Sequence, residues 1–137
     1  MYTPYTKVYI ISENLMKSEL LVARCHFMWE RLPTEKCLRV PCTMRKGMSG
    51  KGLAYLNFPA VHSEIIATSG KPSELRQEGA TVLHVEEFQN WTWAEESWTA
   101  MLPTIQGGGK IVVIGTPRPG THFERLVFDQ FNSQHNG

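Results

Sequence analysis

Two adjacent carboxylates close a short apolar run, Val82-Leu83-His84-Val85-Glu86-Glu87-Phe88. A second apolar run, Lys110-Ile111-Val112-Val113-Ile114, follows about one helix later and leads into Gly115-Thr116-Pro117. If both are strands of one parallel sheet, their carboxyl ends lie where open α/β sheets place their ligands. Neighbouring strand residues face opposite sides, so Glu86 and Glu87 can take different jobs. One carboxylate can hold the hydration shell of Mg²⁺, a hard cation that favours oxygen ligands. The other can orient an attacking water as general base. Thr116, at a tight strand exit, can hydrogen-bond a terminal phosphate or that water. Each feature also has a plainer reading: two glutamates opening a solvated loop, and a turn-forming Thr-Pro.

The rest of the chain supplies elements that would position these groups. Lys7–Ser12 is a β-rich apolar run, and Asn14 can cap a helix from about Leu15 to Leu32. Met16, Leu20, Ala23 and Phe27 recur at helical spacing, with Leu21, Met28 and Leu32 widening the stripe, and this predicts the inward face. Lys17, Glu19, Arg24 and Arg31 fall on the other side, and Pro33 ends the helix. From Pro33 to Gly52 periodicity disappears, which predicts a loop. Leu53–Phe58 and Ser63–Thr68 read as two strands pairing as a hairpin through Pro59–His62. A short helix is expected around Ser73–Gln77. A longer one is expected from Trp93 to Leu102, with Ala94, Trp98 and Met101 or Leu102 inward, broken by Gly107-Gly108-Gly109. The last helix, near His122–Phe131, should turn Phe123, Leu126, Val127 and Phe131 inward. Continuous apolar strands alternating with helices indicate an α/β fold with a mainly parallel sheet.

Composition sets the frame. The chain has 137 residues, enough for one domain, with ordinary hydrophobic and charged fractions of 42% and 20% that argue against disorder. A net charge of +1 gives no general nucleic-acid surface, so contact with DNA requires a local patch or another part of an assembly. No apolar run approaches the ~20 residues that span a bilayer, and the N-terminus has no signal-peptide pattern, which leads to a cytoplasmic expectation. Cys25, Cys37 and Cys42 form no even disulfide set. With His26 they offer four zinc donors, but there is no C-x-x-C pair, and Cys25 and His26 point about 100° apart on a helix. Ordinary thiols are the better reading.

In this order and spacing the features resemble the ATPase domain of the large terminase subunit of tailed phages, the motor that packages DNA into a procapsid. Lys7–Asn14 and the following helix look like that family's second strand and helix. Ser63–Thr68 with Glu74–Gly79 looks like the approach to the Walker B strand. Val82–Glu87 looks like Walker B, Thr99–Gly109 like the helix end after it, and Gly115-Thr116-Pro117 like the coupling motif. The resemblance implies a P-loop NTPase-like α/β fold spanning residues 1–137 as a single partial ATPase domain, incomplete at its N-terminus and without the nuclease domain. It implies Glu86 as the Mg²⁺-side acid, Glu87 as the catalytic glutamate and Thr116 as the coupling residue. The cofactors would be Mg²⁺ and ATP. The partners would be double-stranded DNA, the portal, the small terminase subunit and the missing N-terminal ATPase part, in the cytoplasm of an infected bacterium. Glu86 stands where the family usually has Asp, which moves the carboxylate outward by one carbon–carbon bond.

No G-x-x-x-x-G-K-[ST] loop occurs in the chain. Gly47-Met48-Ser49-Gly50-Lys51-Gly52 has the wrong spacing, lacks a hydroxyl after the lysine and precedes a strand. The intact protein would therefore hydrolyse ATP, and these 137 residues alone would not. Arg45 and Arg76 are candidates for charge stabilisation in cis or from a neighbouring subunit, although arginines in polar segments are usually solvated. His84 reads as a satisfied core histidine. Trp98 fits an inner helix face, and Trp91 and Trp93 could cover the mouth of the site. Two other readings stand beside the motor: a non-catalytic interaction module or remnant of the same fold, and another P-loop DNA motor.

Overall fold

In a computed structural model of the chain, which describes residues 5–34, 39–48, 52–75 and 80–135, the apolar runs become neighbours in one six-stranded sheet. β1 (Lys7–Ser12) lies between β4 (Ser63–Ser69) and β5 (Val82–Glu86), and β6 (Lys110–Ile114) lies outside β5. These four strands are parallel. β3 (Leu53–Phe58) joins β4 antiparallel through the expected hairpin, and β2 (Thr43–Lys46) pairs antiparallel with β3. The order is β2-β3-β4-β1-β5-β6, a mixed sheet in an α/β fold.

β2 corrects the loop expected between Pro33 and Gly52. All four of its residues are exposed, so they carry no alternation to recognise, and pairing with β3 alone makes them a strand. The short helix expected around Ser73–Gln77 is a 3₁₀ turn, Pro72–Glu74, and residues 76–79 lie outside the described residues.

Three helices flank the sheet: α1 (Leu15–Glu30), α2 (Ala94–Gln106) and α3 (His122–His135). Asn14 caps α1 as expected, its Oδ1 accepting from the Lys17 N–H at 3.0 Å. At the start of α3, Thr121 Oγ1 accepts from the Glu124 N–H (3.2 Å), and Glu124 Oε2 reaches back to the Gly120 N–H (2.7 Å). This is a capping box displaced by one residue.

The inward face of α1 is not the one its apolar spacing predicts. Met16, Leu20, Phe27 and Met28 of the helix, with Leu32 beyond it, are exposed, and Ser18, Glu19 and Val22 are buried. Hydrogen bonding and close approach override periodicity. Ser18 Oγ accepts from the Ser12 N–H at 2.8 Å and donates to the Thr68 carbonyl at 2.6 Å, stitching the ends of β1 and β4 to the helix. Buried Glu19 accepts from the Met48 N–H at 3.0 Å. Its side chain fills the space where side chains at Gly47 and Gly52 would stand, so only glycines fit that neck of the β2–β3 connection. Glu19→Ala is therefore expected to cost about 1.5–3 kcal/mol, with Glu19→Gln closer to wild type because it keeps an acceptor. Chemical denaturation of the two variants tests this.

The two sheet faces hold different cores. On the α1 side, Val22 packs with Ile10 and Leu56. On the other, Met101 of α2 and Phe123 of α3 pack with Tyr9, Ile11, Leu83, Val85 and Phe88. In α2 the buried positions are Ser97 and Met101, with Ala94 and Trp98 half-buried. In α3 the inward set is smaller than expected, since Phe123 is buried but Val127 and Phe131 are exposed.

α1 covers β1, β3 and β4. Beyond it the α1 side of β6 is bare, with Val112 and Ile114 each 44% exposed. The outer edge of β6 is also the end of the sheet. An unpaired apolar edge is a template for further strands. The 137-residue chain is accordingly expected to self-associate at high concentration, and Val112→Lys with Ile114→Lys should suppress this in light scattering. A monodisperse wild-type monomer would contradict that expectation.

Candidate functional site

β5 and β6 are in register through Glu86 opposite Ile114, so the acidic pair and the Thr116 turn leave the sheet at the same rim. The chain turns sharply after Glu86. Glu87 takes a left-handed backbone, φ 52° and ψ 45°, before the 3₁₀ turn Phe88–Asn90. For a residue other than glycine this costs on the order of 1–3 kcal/mol and persists only where the surroundings enforce it. Here Phe88 enforces it. Its ring is fully buried and meets Trp91 (5.1 Å), Trp98 (6.2 Å), His122 (6.1 Å) and Phe123 (5.8 Å). Trp91 adds a polar tie, its Nε1–H donating to the Glu86 carbonyl at 3.0 Å.

The strand ends at Glu86 and Glu87 belongs to the left-handed turn, so the expected placing of the two carboxylates on opposite strand faces does not hold and both face one groove. Glu86 is held by His84, two residues earlier on the same face, with Nε2 and Oε1 2.7 Å apart. His84 is thus half-buried against the acid, not a residue of the sealed core. Exposed Glu87 receives a weak bond from Asn90 Nδ2 (3.5 Å) and faces Lys17 Nζ at 3.8 Å. Lys17 lies equally far, 3.8 Å, from Glu13. Both pairs are open to solvent and add little to stability.

Both acids line a groove of about 320 Å³ with Ser12, Lys17, Leu20, Leu21 and Arg24. That volume is at the lower end of ligand sites, roughly 300–1,000 Å³. The groove combines two acids with two cations. A second groove of about 300 Å³, lined by Glu13, Asn14, Gly70, Trp91, Thr92 and Trp93, flanks it at the same rim. Trp91 is buried and braces the acid turn, while Trp93 is 51% exposed at this second groove.

Thr116 is exposed and is not part of the acid groove. Its turn is joined to the acid turn by Gln89, whose Oε1 accepts from the Thr116 N–H at 3.3 Å. Arg45 sits on β2, four strands from β5 and so roughly 19 Å across the sheet, with its guanidinium 5.9 Å from the Tyr55 ring. It does not join the acids within this chain. Arg76 lies outside the described residues.

Three contributors escape the sequence reading. Lys17 is counted there only as part of a solvated helix face, although its place two residues after the helix starts puts it at the strand's carboxyl rim. The His84–Glu86 contact is implied by the two-residue period of a strand. Gln89 gives no signal at all.

Among the described residues no group of three or more His, Cys, Asp and Glu side chains converges as a metal site. Cys25 and Cys42 are free thiols, burial pushing each above the ordinary thiol range, and Cys37 lies outside the described residues. Mg²⁺ needs less from protein, being bound through one or two carboxylates plus waters and substrate phosphates. Glu86 at the groove satisfies that requirement. No helix among the described residues is long and apolar enough to cross a membrane. No protein-family model matches the chain, and no curated protein matches it.

Proposed function

We propose that this chain is the Walker B-to-coupling segment of a DNA-packaging motor ATPase of the terminase large-subunit type, with a P-loop NTPase fold. The observation that carries the reading is the shared rim: adjacent acids leave β5 where Thr116 leaves its parallel neighbour β6. Glu87 acts as general base on the attacking water, and its approach is tuned by Lys17 and Asn90. Glu86, oriented by His84, would hold Mg²⁺, which would supply positive charge against the phosphates of ATP. Thr116 senses the terminal phosphate.

The phosphate loop comes from outside these 137 residues. Two features support this. The outer edge of β6 is free to take another strand. A parallel strand there that returned to β1 by a right-handed crossover would put its helix on the α1 side. That side is where Val112 and Ile114 lie bare. The added element brings the phosphate cradle to the groove that holds Glu86 and Glu87. In the assembled motor the partners are double-stranded DNA, the portal and the small terminase subunit, in the host cytoplasm, with Arg45 or Arg76 available to a neighbouring subunit.

The reading is tested by nucleotide binding. The completed protein should bind ATP in a Mg²⁺-dependent manner, and Glu86→Ala should raise the Mg²⁺ concentration needed at least tenfold, by the loss of a charged metal ligand. Binding indifferent to both Mg²⁺ and Glu86 would overturn the assignment of that residue.

A further inference from the structure

We infer that Gln89 is a positioning residue that transmits movement of the acid turn to the Thr116 turn; the inference rests on the roles given above to Glu87 and Thr116. Gln89 stands in the middle of the 3₁₀ turn Phe88–Asn90, two residues after the left-handed Glu87. Its amide oxygen crosses to the neighbouring strand exit and accepts from the Thr116 N–H at 3.3 Å. A side chain at Gly115 would meet Gln89 Oε1, the end of a flexible side chain that would have to swing away, and would stand 3.1 Å from the Phe123 ring. Glycine before Thr116 lets the amide keep its present position.

The surroundings make this link consequential. Phe88, beside Gln89, meets His122 and Phe123 edge-on at the start of α3. His122 has both ring nitrogens buried without a hydrogen-bond partner among the described residues, so it adds no polar tie to the junction. Relaxing Glu87 from its left-handed conformation rotates the 3₁₀ turn as a unit. Gln89 then pulls on the Thr116 amide, and the Thr116 turn leads directly into α3. A change of the base's backbone on hydrolysis therefore reaches the phosphate-sensing turn through the Gln89 amide, while Phe88 touches the start of α3 directly.

Three variants test this: Gln89→Leu, which removes the acceptor; Gln89→Glu, which keeps an acceptor oxygen; and Gly115→Ala, which evicts the amide. In the 137-residue chain, hydrogen exchange of the Thr116 amide should accelerate roughly fivefold or more in Gln89→Leu and Gly115→Ala, and stay near wild type in Gln89→Glu. In the completed protein, Gln89→Leu should lower kcat with KM for ATP unchanged, and Gln89→Glu should restore kcat. Unaltered exchange at Thr116, or wild-type kcat in Gln89→Leu alongside an inactive Glu87→Gln, would overturn the role of Gln89 and leave the site reading standing. Absence of any turnover in the completed wild-type protein would overturn both.

Discussion

Glu87→Gln is expected to lower ATP turnover of the completed protein by about 10²–10⁴-fold, the range for removing a general base, while ATP binding stays within a few-fold of wild type. The separation follows from the proposed roles. Glu87 lines the groove and faces Lys17, and in the proposed role it acts on the water while Glu86 serves the metal. Stability should barely change, because the Lys17–Glu87 pair is solvent-exposed. The backbone offers a second test at the same position. Glycine adopts φ 52° without penalty, so Glu87→Gly should be neutral or more stable by about 1 kcal/mol and yet inactive. Steady-state kinetics with calorimetric titration of ATP would check the first part, and thermal denaturation the second. If Glu87→Gln retained near-wild-type turnover, Glu87 would not be the base.

The largest stability effect is expected at the next residue. Phe88→Ala should cost about 3–5 kcal/mol, because the ring is fully buried among four aromatic partners that cannot all close the gap. A domain's total stability is only about 5–15 kcal/mol, so this one substitution would leave the fold marginal. Phe128→Ala is the control: that ring is 62% exposed, and its loss should stay within about 0.5 kcal/mol. Denaturant midpoints measured at low concentration would compare the two. A small cost at Phe88 would mean that the acid turn is not braced by this cluster, and the account of how Glu87 is held in its strained conformation would fail.

The parallel strands were legible because each carries an apolar run between polar turns, even though β6 stays bare on its α1 face. Asn14 was legible because a short side-chain acceptor before an apolar helix has few alternatives. The face of α1 was not. Met16, Leu20 and Phe27 obey helical periodicity but lie on the solvent side, because the contacts that seat the helix are made by Ser18 and Glu19, polar residues whose partners are distant in sequence. β2 escaped for the opposite reason: with every side chain exposed, only its ladder to β3 defines it. At the candidate site the acids and Thr116 could be placed from strand ends. The residues that tie them together, Gln89 and Lys17, depend on how two turns and a helix start meet in space, and local pattern carries no record of that.

The central claim is most directly tested by assaying Mg²⁺-dependent ATP turnover of the 137-residue chain alone and after a phosphate-loop segment has been joined or added to it. The account predicts no measurable turnover from the isolated chain and turnover dependent on Glu87 once the cradle is supplied. Hydrolysis by the isolated chain, or continued inactivity with the cradle in place, would contradict it.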